Sequence, residues 1–341
     1  MAVVPTCEAR IRGCLLAGAC GDALGAPVEF LKLPEIRARY GEAGIGDIVP
    51  SQGRITDDTQ MSLFTVEGLI EAARRGRERG ICHAPSMIHD AYLRWLRTQG
   101  HTSSHPRFGA AQDVGWLHSL PELNQQRAPG NTCLRGLESG RTGTMEEPLN
   151  DSKGCGGVMR VAPVGLAFRG ADAFRIGAES AALTHGHPSG YLSAGALALM
   201  IAEIMEGADL PAAMAAASSE LVRWPSHEET LAALDAGVRM AGNGRPACED
   251  LERLGGGWVG EEALAISVCA ALASEDLPDG LRLAANHSGD SDSTGAITGH
   301  ILGAWHGEQA IPGSWIEALE LHEEIERLAE EFIAAHRKPG V

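Results

Sequence analysis

Aromatic residues are scarce in this chain, at 4% of 341 positions, and alternating apolar and polar runs bounded by turn residues are rarer still. A sheet-based fold is therefore not expected. Basic residues are in deficit, with 28 Lys and Arg against 45 Asp and Glu, a net charge of −17. Such a surface repels phosphate backbones and anionic lipid, which argues against nonspecific nucleic-acid binding and against membrane attachment. No apolar run approaches the roughly 20 residues of a membrane-crossing helix, and the short stretch Cys14 to Cys20 runs straight into Asp22, a poor signal peptide. The eight cysteines form no C-x-x-C pair, so they read as reduced thiols of a cytoplasmic protein and not as a zinc site or a disulfide framework. No Pro/Ser-rich linker divides the chain, which is expected to form one domain over 1–341.

Apolar positions recur at intervals of three and four. In the C-terminal segment Leu321, Ile325, Leu328 and Phe332 lie beneath a Glu-rich face, giving an amphipathic helix ended by Pro339-Gly340. The same spacing predicts helices over Met61–Arg75, Ser86–Arg97, Ala171–Ala182, Ser189–Glu206, Pro211–Val222, Glu228–Met240 and Glu261–Ala273. With 44% hydrophobic residues the chain can bury a large core, so the fold class is all-α. The stretch His101–Gly157, rich in Gly, Pro, Ser and Asn, is expected to be loop that covers a site or runs over the surface.

Two segments concentrate carboxylates at helix starts. In Thr56-Asp57-Asp58-Thr59-Gln60, Asp57 with Gln60 three residues on reads as a capping box, which leaves Asp58 without a structural task. A hydroxyl and two carboxylates in one turn are hard oxygen donors suited to Mg²⁺ or Mn²⁺. In Gly289-Asp290-Ser291-Asp292-Ser293-Thr294, Ser293 or Thr294 suffices as a cap, and two carboxylates held close repel unless a cation lies between them. Gly295, Gly299 and Gly303 then step by four, leaving a groove where another helix backbone can approach. Asp-x-Asp-x-Thr also matches the nucleophile motif of haloacid-dehalogenase-like phosphatases, but Ala285 to Gly289 is not strand-like and the motif sits late in a helical chain.

Gly18 to Glu29 is a Gly-rich helix carrying Asp22 and Glu29, and Lys153 to Arg160 is a Gly-rich turn whose N–H groups suit a pyrophosphate. Neither P-loop nor Rossmann spacing occurs. Cys155 paired with His185 or His187 has no local signature of a thiolate nucleophile, and His185-x-His187 is weak as a metal pair.

In order along the chain, Gly21-Asp22-x-x-Gly25-x-x-x-Glu29, Thr56-Asp57-Asp58-Thr59, Lys153-Gly154-Cys155-Gly156-Gly157-Val158-Met159-Arg160, Leu183-Thr184-His185, Gly257-Trp258-Val259-Gly260-Glu261-Glu262 and Gly289-Asp290-Ser291-Asp292-Ser293 resemble the ADP-ribosylglycohydrolase family, over Gly13 to Trp305. The resemblance implies a single compact orthogonal multi-helix domain whose loops converge on a two-metal site. It implies two divalent cations, Mg²⁺ or Mn²⁺, on Thr56, Asp57, Asp58, Asp290, Asp292 and Ser293, where Ser293 keeps the hydroxyl of the family's usual Thr. It places Glu29 beside the scissile bond, with the turn Gly154, Cys155, Gly156 and Gly157 and His185 against the phosphates and distal ribose, and Trp258 and Glu261 as cleft wall. The implied activity is release of ADP-ribose from a modified protein or small conjugate, with arginine the expected attachment and serine, O-acetyl or nucleobase linkages as alternatives. Cleavage at C1″ passes through an oxocarbenium-like state and needs an activated water and help for the leaving group. Glu29, or one of the metal-holding aspartates Asp58 and Asp290, handles the proton, and the residues leave that choice open. A non-catalytic ADP-ribose or partner-binding protein on the same fold is the competing expectation, disfavoured because all six ligand positions keep an oxygen donor.

Overall fold

The computed structural model describes residues 4–109 and 114–337. Among these are sixteen α-helices and one isolated antiparallel bridge, between Gly154 and Val259. The first half of the chain forms α1 (Cys7–Gly25), α2 (Leu33–Tyr40), α3 (Asp57–Arg79), α4 (Ala84–Thr98), α5 (Asn131–Glu138), α6 (Ala162–Ala167) and α7 (Gly170–Ala182). The second forms α8 (Pro188–Met205), α9 (Leu210–Leu221), α10 (Glu228–Gly242), α11 (Cys248–Leu251), α12 (Gly260–Ala273), α13 (Leu277–Ala285), α14 (Ser291–His306), α15 (Gly313–Ala318) and α16 (His322–His336).

Helix starts and stops follow local chemistry. Thr6 caps α1 by accepting the Ala9 N–H at 3.1 Å, and α3 and α14 each end at a glycine with positive φ, Gly80 and Gly307. Each helix expected from spacing is present to within four residues at its ends, because the buried stripe fixes the body of a helix more firmly than its termini. The C-terminal helix runs to His336, and Pro339-Gly340 lies outside the described residues. Among the described residues of 101–157 there are only α5 and three single turns of 3₁₀ helix.

The capping reading of Asp57 is corrected. Thr56 is the cap, its hydroxyl accepting the Asp58 N–H at 3.3 Å, and Asp57 is the first helical residue with its carboxylate turned elsewhere. An Asp one position into the helix no longer has the extended backbone that lets a side chain fold back on the first turn.

The centre of the core is α1 against α14, the most extensive helix pair. They run antiparallel and touch through glycine. A Cβ on Gly21 would lie 2.0 Å from the Gly295 carbonyl oxygen, one on Gly299 2.0 Å from that of Ala17, one on Gly303 2.1 Å from that of Gly13, and one on Gly25 2.1 Å from that of Ser291. The groove anticipated from the four-residue glycine step is filled by the backbone of α1. Around this pair pack α3, α16, α13, α12 and α8. Helix α8 is long and apolar enough to cross a membrane by length and composition, yet 83% of it is buried inside the protein.

Exchanging Gly21 or Gly295 for Ala forces two backbones apart and is expected to destabilise the protein by about 1–3 kcal/mol. Gly76, inside α3, has nothing within 4 Å of its would-be Cβ, so Gly76→Ala is expected to stabilise by roughly 0.5–1 kcal/mol. Denaturant unfolding of the variants measures both signs, and equal effects at the two kinds of site would disprove the close-packing account.

Candidate active site

Because Gly25 meets Ser291, the turn that follows α1 and the turn that precedes α14 are brought to one place. The first supplies Glu29, the second supplies Asp290, and the first turn of α14 supplies Asp292 and Ser293. Asp22, one turn before the end of α1 and fully buried, draws in the start of α3. Its carboxylate accepts the backbone N–H of Thr56 (2.9 Å) and of Thr59 (3.1 Å) and the hydroxyls of Thr56 (2.8 Å) and Thr59 (2.5 Å). That fixes Asp57 and Asp58 beside the other acids. The Asp57 carboxylate then accepts the Gly130 N–H at 3.3 Å, which holds the 128–133 loop.

The glycine turn arrives from the other side. Its bridge to Val259 is reinforced by Cys155 N–H to the Trp258 carbonyl (3.2 Å) and Gly260 N–H to the Lys153 carbonyl (2.8 Å), and the Cys155 thiol donates to Asp290 at 2.8 Å. The N–H groups of Gly154 and Cys155 are thus occupied, by Ser152 Oγ and the Trp258 carbonyl, which removes two of the phosphate donors expected of this turn.

These segments enclose a cavity of about 340 Å³. Of the expected site residues, Glu29, Asp57, Asp58, Asp290, Asp292, Ser293, Gly154, Cys155, Gly156, His185 and Trp258 line it. Three do not. Thr56 sits behind its neighbours on Asp22, Gly157 packs against Ala181 and Gly190, and Glu261, expected as cleft wall, turns its carboxylate to Lys153 Nζ at 2.5 Å, bracing the turn from outside the cavity. Sequence reasoning missed Phe30, which stacks on Trp258 with ring centroids 5.8 Å apart and an interplanar angle of 21°. Both rings are exposed, 71% and 45%, in a chain that has few aromatics to spare. Asp22 was noted in its motif without a task, since the partner it anchors lies 34 residues away. His187 caps α8 through Nδ1, so the two histidines of His185-x-His187 diverge.

Five carboxylates facing one buried cavity repel one another. Burial, and then the charge of Asp292, push Glu29 up to about 9 and raise Asp57, Asp58 and Asp290 far above the ordinary carboxylate range. Asp292 is raised by burial despite its hydrogen bonds, and Asp22 is pushed up to about 7 against the donors that surround it. Asp58 Oδ1 is buried with no partner among the described residues, and oxygens of Glu29, Asp290 and Asp292 all lie within 4.8 Å of one another. An orphaned buried oxygen in an all-oxygen donor set fits divalent cations such as Mg²⁺ or Mn²⁺. By contrast, the roomier groove of about 590 Å³ between α9, α10 and α12 is lined by Met214, Val238, Leu272 and a single acid, Asp235, with no such strain.

The all-helical scaffold thus gathers acids at helix starts around a half-open cavity. The chain belongs to the ADP-ribosylglycohydrolase family, a family of hydrolases, whose profile matches residues 4–340. It is 26% identical to the ADP-ribosyl-[dinitrogen reductase] glycohydrolase of Rhodospirillum rubrum, over 97% of each chain. It is 27% identical to the ADP-ribosylarginine hydrolase Tri1 of Serratia proteamaculans, over 97% of this chain and 81% of that one. A solved structure of an ADP-ribosylglycohydrolase-related protein complex superposes with a TM-score of 0.68 at 27% identity, covering 97% of this chain and 99% of the other.

A carboxyl whose pKa is raised on folding destabilises the folded state increasingly as pH climbs from its unfolded value, near 4, toward its folded one. A divalent cation bound in place of the proton would remove that penalty. Added Mg²⁺ or Mn²⁺ is therefore expected to raise the melting temperature of chelator-stripped protein more at pH 8 than at pH 5. At a concentration 100-fold above Kd the stabilisation amounts to about 2.7 kcal/mol. Asp292→Asn is expected to lose most of it, and an increment that ignores pH or survives in that variant rules out the cation reading.

Proposed function

We propose that this hydrolase removes ADP-ribose from arginine side chains of modified proteins, using two divalent cations, Mg²⁺ or Mn²⁺, held by Thr56, Asp57, Asp58, Asp290, Asp292 and Ser293. The observation that carries the reading is the set of mutually repelling carboxylates around one cavity with the Asp58 oxygen left unpartnered. When bound, the cations anchor ribose hydroxyls and stabilise negative charge on oxygen. The arginine linkage draws support from the name of the Serratia relative and from the cavity itself. A guanidinium is the leaving group best matched to an acidic cavity bounded by the exposed faces of Phe30 and Trp258, where cation–π attraction adds to the charge.

Glu29 handles the proton. It is the one acid of the five that stands neither at the N-cap nor in the first turn of α3 or α14, and burial beside Asp292 and Asp57 favours its acid form. It gives its proton to the departing nitrogen as the bond to C1″ breaks, and the carboxylate so formed takes a proton from the water that adds to C1″. His185, buried and held neutral, binds without exchanging protons. Val259, Gly260 and the Lys153–Glu261 pair keep the glycine turn against the cavity.

The deciding assay offers arginine-, serine-, nucleobase-linked and O-acetyl ADP-ribose in parallel, with Mg²⁺, with Mn²⁺ and with a chelator. Arginine-linked substrate is expected to be cleaved fastest, chelation to abolish the reaction, and Glu29→Gln to lower kcat by about 10²–10⁴-fold. Trp258→Leu is expected to raise KM on the arginine-linked substrate by roughly 3- to 30-fold. Turnover that persists in chelator, or that favours serine-linked substrate, overturns the assignment.

A further inference from the structure

The part of the cavity wall that His185 forms is built on a buried charge. Arg160 is fully buried at the end of the glycine turn, its guanidinium 4.3 Å over the Tyr92 ring, with Nη1 3.2 Å from the Cys133 sulfur and Nη2 donating to Thr184 Oγ1 at 2.7 Å. Thr184, also fully buried, has its hydroxyl 2.9 Å from His185 Nδ1. The far side of that ring meets the turn. A Cβ on Gly156 would lie 3.3 Å from His185 Nε2 and one on Gly154 3.4 Å from it, so the two glycines leave Nε2 uncovered toward the cavity that His185 lines.

We propose that Arg160 and Thr184 are positioning residues which fix His185 as its uncharged Nε2–H tautomer, making Nε2–H a permanent donor to a phosphate or hydroxyl oxygen of the ligand. A guanidinium has donors only and stays protonated, so the 2.7 Å contact occupies a lone pair of the Thr184 hydroxyl. That hydroxyl has one hydrogen, and its remaining partner among the described residues is His185 Nδ1. If Nδ1 carried the ring proton, Oγ1 would accept twice and its own hydrogen would stay buried without an acceptor, the costly case for a polar group. The hydroxyl therefore donates to Nδ1, and the ring proton resides on Nε2. Protonating both nitrogens sets an imidazolium against the same buried hydroxyl hydrogen and the Arg160 charge, and burial together with Arg160 pushes His185 down to about 3. Arg160 is the charged group against this ring, and it is immobilised by the Tyr92 face, Cys133 and Thr184. A Cβ at 156 would also stand 2.7 Å from the Cys133 sulfur, so the glycine there keeps both that sulfur and Nε2 clear.

The part of the inference that concerns ADP-ribose rests on the proposed function, whereas the tautomer does not. Long-range ¹H–¹⁵N correlation spectra of wild-type protein are expected to show His185 Nε2 protonated and Nδ1 bare, in more than about nine-tenths of molecules and without change from pH 5 to 8. Thr184→Ser, which keeps the hydroxyl, is expected to preserve that pattern, and Thr184→Val to shift the Nδ1 resonance as its donor is lost, with KM rising and kcat changing less. An Nδ1–H ring in wild type, a ring that titrates in that range, or a Thr184→Val spectrum identical to wild type overturns the proposal. Should Thr184→Val not fold, the wild-type and Thr184→Ser spectra decide it. ADP-ribose added to wild type is expected to move the Nε2 resonance, and a tautomer as described with Nε2 unmoved would count against the ADP-ribose reading alone.

Discussion

Everything functional in this protein depends on two helices lying closer together than side chains would permit. The pairing of α1 and α14 through Gly13, Gly21 and Gly25 on one side and Gly295, Gly299 and Gly303 on the other leaves carbonyl oxygens where β-carbons would have to stand. Close approach of that kind fixes the axial register as well as the separation, since a slip by one residue places a side chain against a carbonyl. With the register fixed, Glu29 and the Asp290 to Ser293 turn have no freedom to drift apart. Asp22 extends the same constraint to α3, because its four hydrogen bonds attach the first turn of that helix to the last turn of α1. Acids separated by more than 200 residues in sequence become neighbours by these two devices.

The arrangement opposes folding locally. Burying several carboxylates side by side raises the pKa of each, and the hydrogen bonds that Asp22, Asp57, Asp290 and Asp292 accept only partly offset it. The surrounding apolar core offsets this, being nearly continuous from Ile11 to Ile333. Strain of this sort collects at sites where a ligand supplies what the protein withholds. It also changes the meaning of the net charge of −17. The Glu-rich face of α16 is solvent-exposed in large part, while the acids around the cavity are almost completely withdrawn from water. Composition alone could not separate the two populations.

Much of the helical fold was legible because spacing of three and four survives wherever one face is buried, and the four-residue glycine step of α14 announced a close partner without saying which. The acidic turns were legible as anomalies: more carboxylates than a helix cap can use. What remained hidden was relational. Asp57 in place of Thr56 as the cap is an error of one residue that only backbone conformation resolves. Glu261 stands in a segment that does reach the cavity through Trp258, but successive residues at a helix start point in different directions, and this one found Lys153. Phe30 carries no motif at all. Its task arises only when Trp258, 228 positions further on, is folded against it.

Two chemically distinct sets of groups line the cavity. One is the carboxylates, which favour cations, whether metal or guanidinium, together with aromatic faces that favour the same. The other is the glycine turn and a histidine kept uncharged by burial and by Arg160, which offers a hydrogen-bond donor with no titratable charge. Arg160 itself is shielded behind Thr184 and cannot form an ion pair with a phosphate. On the proposed reading, a molecule that is cationic at its linkage and anionic along its pyrophosphate is drawn in one direction only. The anionic part is repelled by the acids and accepted by neutral donors, while the linkage is held where Glu29 stands. On the same reading, a substrate lacking the cationic leaving group would lose the attraction of the acids and aromatic faces, so that these govern the choice of linkage and the glycine turn with His185 the grip on the nucleotide.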